Sequence, residues 1–559
     1  MCGIVGYIGN DAVRRSVEKV KLLQYRGYDS AGVGFVQNGK IRLEKAVGSV
    51  DNLNADYDGF SAIAHVRWAT HGKVNTINAH PHKSGENWAI VHNGIIENYQ
   101  DFLCEELQTE TDSEVISLLL EKHGKGLDSV LYTARKLEGS FAVLALEKSG
   151  KIYAVKNKSP LFVAKGNDGV IFASDPVCFC GLADTYYTFC DNEVAVSDGQ
   201  SLEFYDIYGN VITKKAQAND AENTVYEKGD FDTFMRREIY DIPSSLRRVF
   251  QTYTGEYLDA IVDSFDKACE VWFIGCGTAY HACLAGENLF CKAGKKCRSF
   301  IASEFRYSPI VLPPSCVCVF ISQSGETADT IGALEKVENS CKTVALTSVG
   351  YSSLARRVDL VLPTLAGKER AVASTKAYAC QITVLSLIAS ALSSSVPYFE
   401  SVSEQSIKEM ESVAKRYAQK FSHNEIFILG RGLDYVTAKE CALKIKEVSY
   451  VNANAYPTGE LKHGFIALLT RDTPVIMFAF DKDLIKKNIS GALECKSRGA
   501  SVVVITPFVS DFCDEFDVVE ISSPLRAVAY SFLFALELSL ARKLNPDMPK
   551  NLAKSVTVE

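Results

Sequence analysis

Over the first 215 or so residues the apolar positions come in short runs bounded by turn residues. Gly3-Ile4-Val5-Gly6-Tyr7-Ile8, Ala31-Gly32-Val33-Gly34-Phe35-Val36, Ala89-Ile90-Val91-His92 and Phe141-Ala142-Val143-Leu144-Ala145 are examples. Runs of this length predict strands, and the region reads as an α+β, four-layer, β-rich unit. A polar stretch from Lys214 to Asp230 has no apolar periodicity and reads as a linker into a helical pattern near Met235–Tyr240. From about residue 270 strand runs alternate with helical patterns, the signature of parallel α/β folds. The arrangement occurs twice. Val271-Trp272-Phe273-Ile274-Gly275-Cys276-Gly277 and Ile426-Phe427-Ile428-Leu429-Gly430-Arg431-Gly432 each give a buried strand, a G-x-G turn and a helix, offset by 155 residues from Gly275 to Gly430. Further strand runs follow each, Val317 to Ser322 and Pro474 to Phe480, so two copies of one α/β subdomain are expected. The implied boundaries are a first domain over 2–220, a linker over 221–235, α/β subdomains over 236–415 and 416–545, and a tail over 546–559.

Composition narrows the classes. At 559 residues the chain exceeds one core. A net charge of −8 makes a nucleic-acid or anionic-membrane partner unexpected. No basic segment followed by an apolar region opens the chain, and no run of about 18 apolar residues is evident, so a cytoplasmic location is expected. Seventeen cysteines are scattered without a framework, many in apolar runs such as Cys316-Val317-Cys318, and most read as reduced, buried thiols. No C-x-x-C pair exists and His80-Pro81-His82 lacks a second half, so no metal site is expected.

Six of the nine histidines fall within the first 123 residues, among dense polar segments. Cys2 follows the initiator Met1, whose removal would leave a thiol and a free α-amine on one residue; that amine titrates near ~8 and can serve as a base toward its own thiol. Taken alone, Cys2 also reads as a small buried residue opening a strand. Arg67, in His65-Val66-Arg67-Trp68-Ala69-Thr70-His71-Gly72, can hold an α-carboxylate in a two-pronged contact. Asn93-Gly94 can present an amide and a backbone N–H to an oxyanion, or form a hairpin turn and nothing more. In order along the chain, Met1-Cys2-Gly3-Ile4-Val5-Gly6, Tyr25-Arg26-Gly27-Tyr28-Asp29-Ser30-Ala31-Gly32, Arg67–Gly72, His92-Asn93-Gly94 and Thr111-Asp112 resemble the class II, or N-terminal-nucleophile, glutamine amidotransferases. The resemblance implies Cys2 as nucleophile, Asn93 and Gly94 as oxyanion hole, Arg67, Thr70, His71 and Asp112 as glutamine binders, and Trp68 at the mouth of an ammonia channel.

In the second half, Ser322-Gln323-Ser324-Gly325-Glu326-Thr327 joins a strand run to a helical pattern. Hydroxyls and backbone N–H groups at a helix start suit a phosphate, and they equally suit a plain helix cap. The Walker lysine is absent. Glu440, Lys444 and Glu447 fall on one face of a helix predicted over Thr437–Val451, which by spacing alone reads as a salt-bridged solvated stripe. These segments resemble the sugar-isomerase (SIS) domain. Gly275–Thr278, Ala302–Tyr307, Val372-Ala373-Ser374-Thr375-Lys376, Gly459–Gly464 and the terminal Asn551–Glu559 narrow the resemblance to amidotransferases with tandem SIS domains that aminate a ketose phosphate. It implies amination and isomerisation of fructose 6-phosphate to glucosamine 6-phosphate with release of glutamate, the first step of amino-sugar synthesis, with ammonia passing between the sites and no cofactor. Cys276, Gly277, Thr278, Ser322, Gln323, Ser324, Thr327, Val372, Ala373 and Ser374 would bind the sugar phosphate. Glu447 would be the C1–C2 base, a role that asks for a pKa raised by burial. His463 would open the ring from the partner subunit of a homodimer, Lys554 would form a Schiff base, Lys444 and Glu440 would support them, and the tail would close over the sugar. Two departures stand out: Ala279 where the family has a serine, and Lys550 where it commonly has arginine.

Overall fold

The computed structural model describes residues 2–69, 71–102, 107–219, 226–394, 396, 399–421 and 423–556. They divide into two compact units, Met1–Val225 with Ser555–Glu559, and Tyr226–Lys554.

In the first unit, strands alternate their side chains between two faces, and both faces find a core. Within Gly3–Gly9, Ile4 and Ile8 point one way and Val5 and Tyr7 the other, so the whole strand is buried. It pairs antiparallel with Ser61–Arg67 and Gly169–Ala173 in an eight-stranded sheet. A six-stranded sheet, in which Trp88–Ile96 pairs with Gly139–Glu147, faces it across Ile4, Ile63, Ala89, Val91 and Leu144. Helix Ala12–Lys21 covers the outer face of the first sheet through Val13, Val17 and Val20. Helices Glu114–His123 and Gly126–Lys136 cover the second through Val115, Leu120 and Val130. The order helix, sheet, sheet, helix gives the four expected layers. Part of the segment expected as linker is ordered instead: Gln217–Ala218 forms a short strand on Thr185–Thr188.

The second unit holds two parallel five-stranded sheets of the same strand order, second-first-third-fourth-fifth. One is built on Glu270–Gly275 with Lys296–Ile301 and Cys316–Ser322 as neighbours, the other on Glu425–Gly430 with Asn452–Pro457 and Pro474–Phe478. The repeat extends to backbone conformation. Gly277 (φ 56°, ψ −126°) and Gly432 (φ 55°, ψ −124°) open their helices in one geometry that side chains disfavour. In each sheet the strand order reverses beside the first strand, where doubly wound folds form ligand crevices. One core runs through both copies and includes most of helix Pro524–Ala541. This helix corrects the expectation that no long apolar run exists: it is 18 residues long with mean hydropathy 1.3, enough to cross a membrane by length and composition, but 78% of it is buried inside the protein. Its apolar character is accounted for by that core position.

Candidate active site

Cys2 enters strand Gly3–Gly9 beside the end of Ser61–Arg67, and antiparallel pairing brings it to Trp68. The Trp68 amide donates to Cys2 Sγ at 3.3 Å, and the thiol donates to the Trp68 carbonyl at 3.4 Å. Burial pushes the thiol up, opposed by the amino terminus, the Trp68 amide and Arg67. The turn after Arg67 is buttressed by the Tyr25–Gly32 motif. Asp29 accepts the Ala69 amide at 2.8 Å, and a Cβ on Gly27 would lie 2.6 Å from the Arg67 carbonyl carbon, so only glycine fits. Arg67 is buried and donates to the carbonyls of His71, Gly72 and Lys73, which commits much of its guanidinium to shaping the loop. Burial, the largest influence, lowers its pKa.

Asn93 and Gly94 are not a turn. They lie within strand Trp88–Ile96, opposite Ala142 and Phe141. Gly94 has φ +139°, and a Cβ there would sit 1.9 Å from the Ser140 carbonyl. Asn93 Oδ1 is buried without a hydrogen-bond partner among the described residues. Asp112 accepts the Ile96 amide at 2.7 Å, pinning the same strand. His71 stands edge-on to Tyr99 at 6.0 Å, and Trp68 edge-on to Tyr28 at 6.2 Å. Thr70 lies outside the described residues. Behind the strand sits a set of histidines whose mutual packing the sequence did not reveal. His65 and His80 stack at 4.0 Å, His80 meets His82 at 4.3 Å, and His65 Nε2 donates to the His92 carbonyl at 2.9 Å.

In the second unit the Glu440-Lys444-Glu447 stripe is buried, not solvated. Lys444 donates to Glu447 at 2.6 Å and lies 3.5 Å from Glu440. Burial would lower Lys444, but the charges of Glu447 and Glu440 outweigh it and raise the amine. The Glu447 side chain keeps 19% of its surface exposed, so it can meet a ligand. Glu440 also accepts from Thr278 at 3.1 Å and pairs with His281 at 2.7 Å. Thr278, expected at the phosphate, therefore directs its hydroxyl to Glu440. His281 was missed, although its i, i+3 spacing from Thr278 on one helix face was available in the sequence.

Lys554 is buried against Glu369 at 2.8 Å. Glu369 is the second residue missed. It accepts the amides of Thr375 and Ala377 at 3.0 Å each and the Ser374 hydroxyl at 3.0 Å. Burial alone would raise this carboxyl, but Lys554 and those amides hold it at about 2. The Val372 amide donates to the Asp547 carbonyl at 3.1 Å, tying this loop, with its buried Ala373, to the tail. Ser322 accepts the Gly325 amide at 3.0 Å and bonds Thr327 at 3.0 Å; Ser324 accepts the Glu326 amide, and the Gln323 carbonyl accepts the Ser348 amide. Gly325 has φ +65° and leaves no room for a Cβ, which would lie 2.0 Å from Ser352 Oγ. Cys276 and Gly277 shape the turn after the first strand, and burial pushes the Cys276 thiol up. Ala279 lies in the first turn of the same helix. Lys550 rests its amine over the Tyr450 ring at 4.6 Å. His463 is exposed at the end of a 3-10 helix, Thr458–His463, and no hydrogen bond or ion pair among the described residues joins it to Glu447 or Lys554.

Residues 73–180 match the family model of the glutamine amidotransferase domain, and 264–391 and 421–540 each match the SIS domain. The chain is 38% identical to the glutamine–fructose-6-phosphate aminotransferase (isomerising) of Methanothermobacter thermautotrophicus and 36% identical to that of Bacillus subtilis, covering 100% of both partners in each comparison. The C-terminal domain of the glucosamine-fructose-6-phosphate aminotransferase from Francisella tularensis superimposes with a TM-score of 0.53 at 28% identity, over 58% of this chain and 99% of that one. With both domain types present and identity of this order over the full length, the chain belongs to the glutamine–fructose-6-phosphate aminotransferase (isomerising) family.

Proposed function

We propose a residue-by-residue division of labour for the family's reaction. The chain is an enzyme that uses glutamine to aminate fructose 6-phosphate with isomerisation. Cys2, freed of Met1, attacks the glutamine amide, Asn93 and the Gly94 amide stabilise the oxyanion, and His71, Thr70, Arg67 and Asp112 hold the amino acid. Ammonia leaves past Trp68 toward the sugar. Backbone and hydroxyl donors of Ser322–Thr327 and of Val372–Ser374 hold the sugar phosphate, with Cys276, Gly277 and Thr278 forming the adjoining turn. Lys554 forms a Schiff base with C2 of the open-chain ketose, releasing water, and ammonia then adds at C2 and displaces the lysine amine to give the fructose imine. Glu447 then takes a proton from C1 of the fructose imine and returns it to C2, while the C1 hydroxyl loses its proton to become the aldehyde. The partner subunit's His463 opens the ring in a homodimer, no cofactor takes part, and the enzyme works in the cytoplasm.

The observation that carries the sugar half is the buried Glu440–Lys444–Glu447 network beside the Glu369–Lys554 pair. The test separates the halves. Cys2→Ala is expected to lose glutamine-driven formation of glucosamine 6-phosphate and keep synthesis from high ammonium, and the mass of the active enzyme should lack Met1. Full glutamine-dependent synthesis by that variant would overturn the assignment.

A further inference from the structure

Helix Phe234–Tyr240 lies outside every motif that pointed to the sugar site, yet it holds that site's loop. Glu238 on this helix is fully buried, and its Oε1 accepts the amides of Arg370 and of Ala371, the latter at 3.1 Å. These two residues directly follow Glu369, the carboxylate that grips Lys554. The helix is tied to the tail as well: the Asp547 carboxylate accepts the amides of Phe234 and Met235, both at 2.8 Å, while the Asp547 carbonyl accepts the Val372 amide. Helix, loop and tail thus close into one hydrogen-bonded ring, and the loop in it carries the carboxylate that pairs with the lysine. Glu238 Oε2, by contrast, is buried with no hydrogen-bond partner among the described residues. A bare ionised oxygen in that position is costly, and a protonated carboxyl much less so.

We propose that Glu238 is a positioning residue for sugar amination, acting through the loop 369–375 to set Glu369 against the Lys554 amine. The inference rests on the reading of Lys554 as the amine that engages the ketose. In that step the ammonium first gives up one proton, the freed amine nitrogen bonds to the sugar carbonyl carbon, a second proton passes from nitrogen to the carbonyl oxygen, and the first returns so that the oxygen leaves as water, with the third proton kept on the iminium. Glu238 faces Lys554 from the tail, Glu369 from the loop, Lys376 from the following helix and Tyr226 from the segment before its own. Burial, the largest influence, pushes the Glu238 carboxyl up to about 8 despite the opposing charge of Lys554. At neutral pH it is an acid, and Lys554 has one carboxylate neighbour from this loop. Above pH 8 the Glu238 carboxyl ionises, a second buried anion competes with Glu369 for the lysine, and the pairing that positions Lys554 is disturbed.

The test uses the full chain with glutamine and fructose 6-phosphate between pH 6.5 and 9, alongside glutamine hydrolysis and thermal unfolding. Glu238→Gln mimics the neutral acid. Its kcat relative to wild type is expected to rise about tenfold from pH 7 to pH 9, because wild type keeps only about a tenth of its neutral carboxyl one unit above the pKa. Glu238→Ala frees the loop amides and is expected to lower kcat about 10²-fold, the scale of misplacing a reacting group by about an ångström, with sugar KM moved far less. Wild-type kcat in the alanine variant, or a flat glutamine-to-wild-type ratio across the pH range, overturns the proposal. If the alanine variant fails to fold, the pH ratio decides alone. Lys554→Ala is the control on the underlying reading. Full synthesis by that variant refutes the lysine's role and the present inference with it, whereas its inactivity beside a wild-type Glu238→Ala refutes the inference only.

Discussion

At Glu447 a single proton divides two readings of the same helix face. By spacing, Glu440, Lys444 and Glu447 were a solvated stripe; in the fold they are a buried network with only Glu447 still open to a ligand. Replacing Glu447 by Gln keeps the shape and removes the proposed proton acceptor. Exchange of the C1 proton with deuterated solvent during turnover is therefore expected to slow by about 10²–10⁴-fold, while glutamine hydrolysis, carried by the other unit, persists. Wild-type exchange would move the search for the base elsewhere. The loop proposed to hold the phosphate, Ser322–Thr327, makes a smaller claim. Ser324→Ala removes one hydroxyl and should weaken fructose 6-phosphate binding by about 1–2 kcal/mol, the scale of a hydrogen bond to a charged group. An unchanged sugar KM and kcat would place the phosphate outside this loop. Ala279→Ser is expected to leave binding unchanged or tighten it.

At the scale of elements, the strand that carries Asn93 and Gly94 depends on the histidines behind it. His65 is fully buried, and burial holds it at about 3 despite its bond to the His92 carbonyl. His80, His82 and His92 are lowered by burial as well. A histidine whose folded pKa is depressed contributes stability above its unfolded value near ~6.5 and loses it as pH falls toward the folded value. For His65 alone that loss is about 1.4 kcal/mol per pH unit between ~6.5 and ~3. Glutaminase activity is therefore expected to unfold away between pH 6 and 4, with His65→Asn shifting the acid midpoint; a first unit as stable at pH 4.5 as at pH 7 would refute this. How legible these elements were depends on where their information lies. Strands such as Gly3–Gly9 and the 155-residue repeat were readable because each burial pattern is local. Asn93-Gly94 misled because its dipeptide signals a turn, whereas glycine is needed in the strand for a long-range reason: at φ +139° it lies so close to the Ser140 carbonyl that a Cβ would not fit. The partners that tie Glu369 and Glu238 to the site are distant in sequence: Lys554 lies 185 residues from Glu369 in the tail, and Arg370 lies 132 residues from Glu238 in the loop.

For the whole molecule, the proposed role of His463 turns on which subunit's sugar site it serves. It is exposed at the end of a short helix, while Glu447 and Lys554 belong to a buried network of the same unit. Residues of one site that stand apart within a chain are joined in symmetric dimers when each subunit completes the other's site. Mixed subunits distinguish the two arrangements. Chains carrying Glu447→Gln and chains carrying His463→Ala are each expected to be inactive in synthesis. Unfolded together and refolded, they assort at random, so half the dimers are hybrids. In a hybrid, one site combines both substitutions and the other combines the intact Glu447 of one chain with the intact His463 of its partner. Synthesis should then return to about a quarter of the wild-type rate, one site in two within half the dimers. If each chain instead supplies its own His463, every site in every hybrid carries one substitution, and mixing restores nothing. A quarter-rate recovery that vanishes when the two variants are mixed without refolding would show that it arises from subunit exchange and not from residual activity.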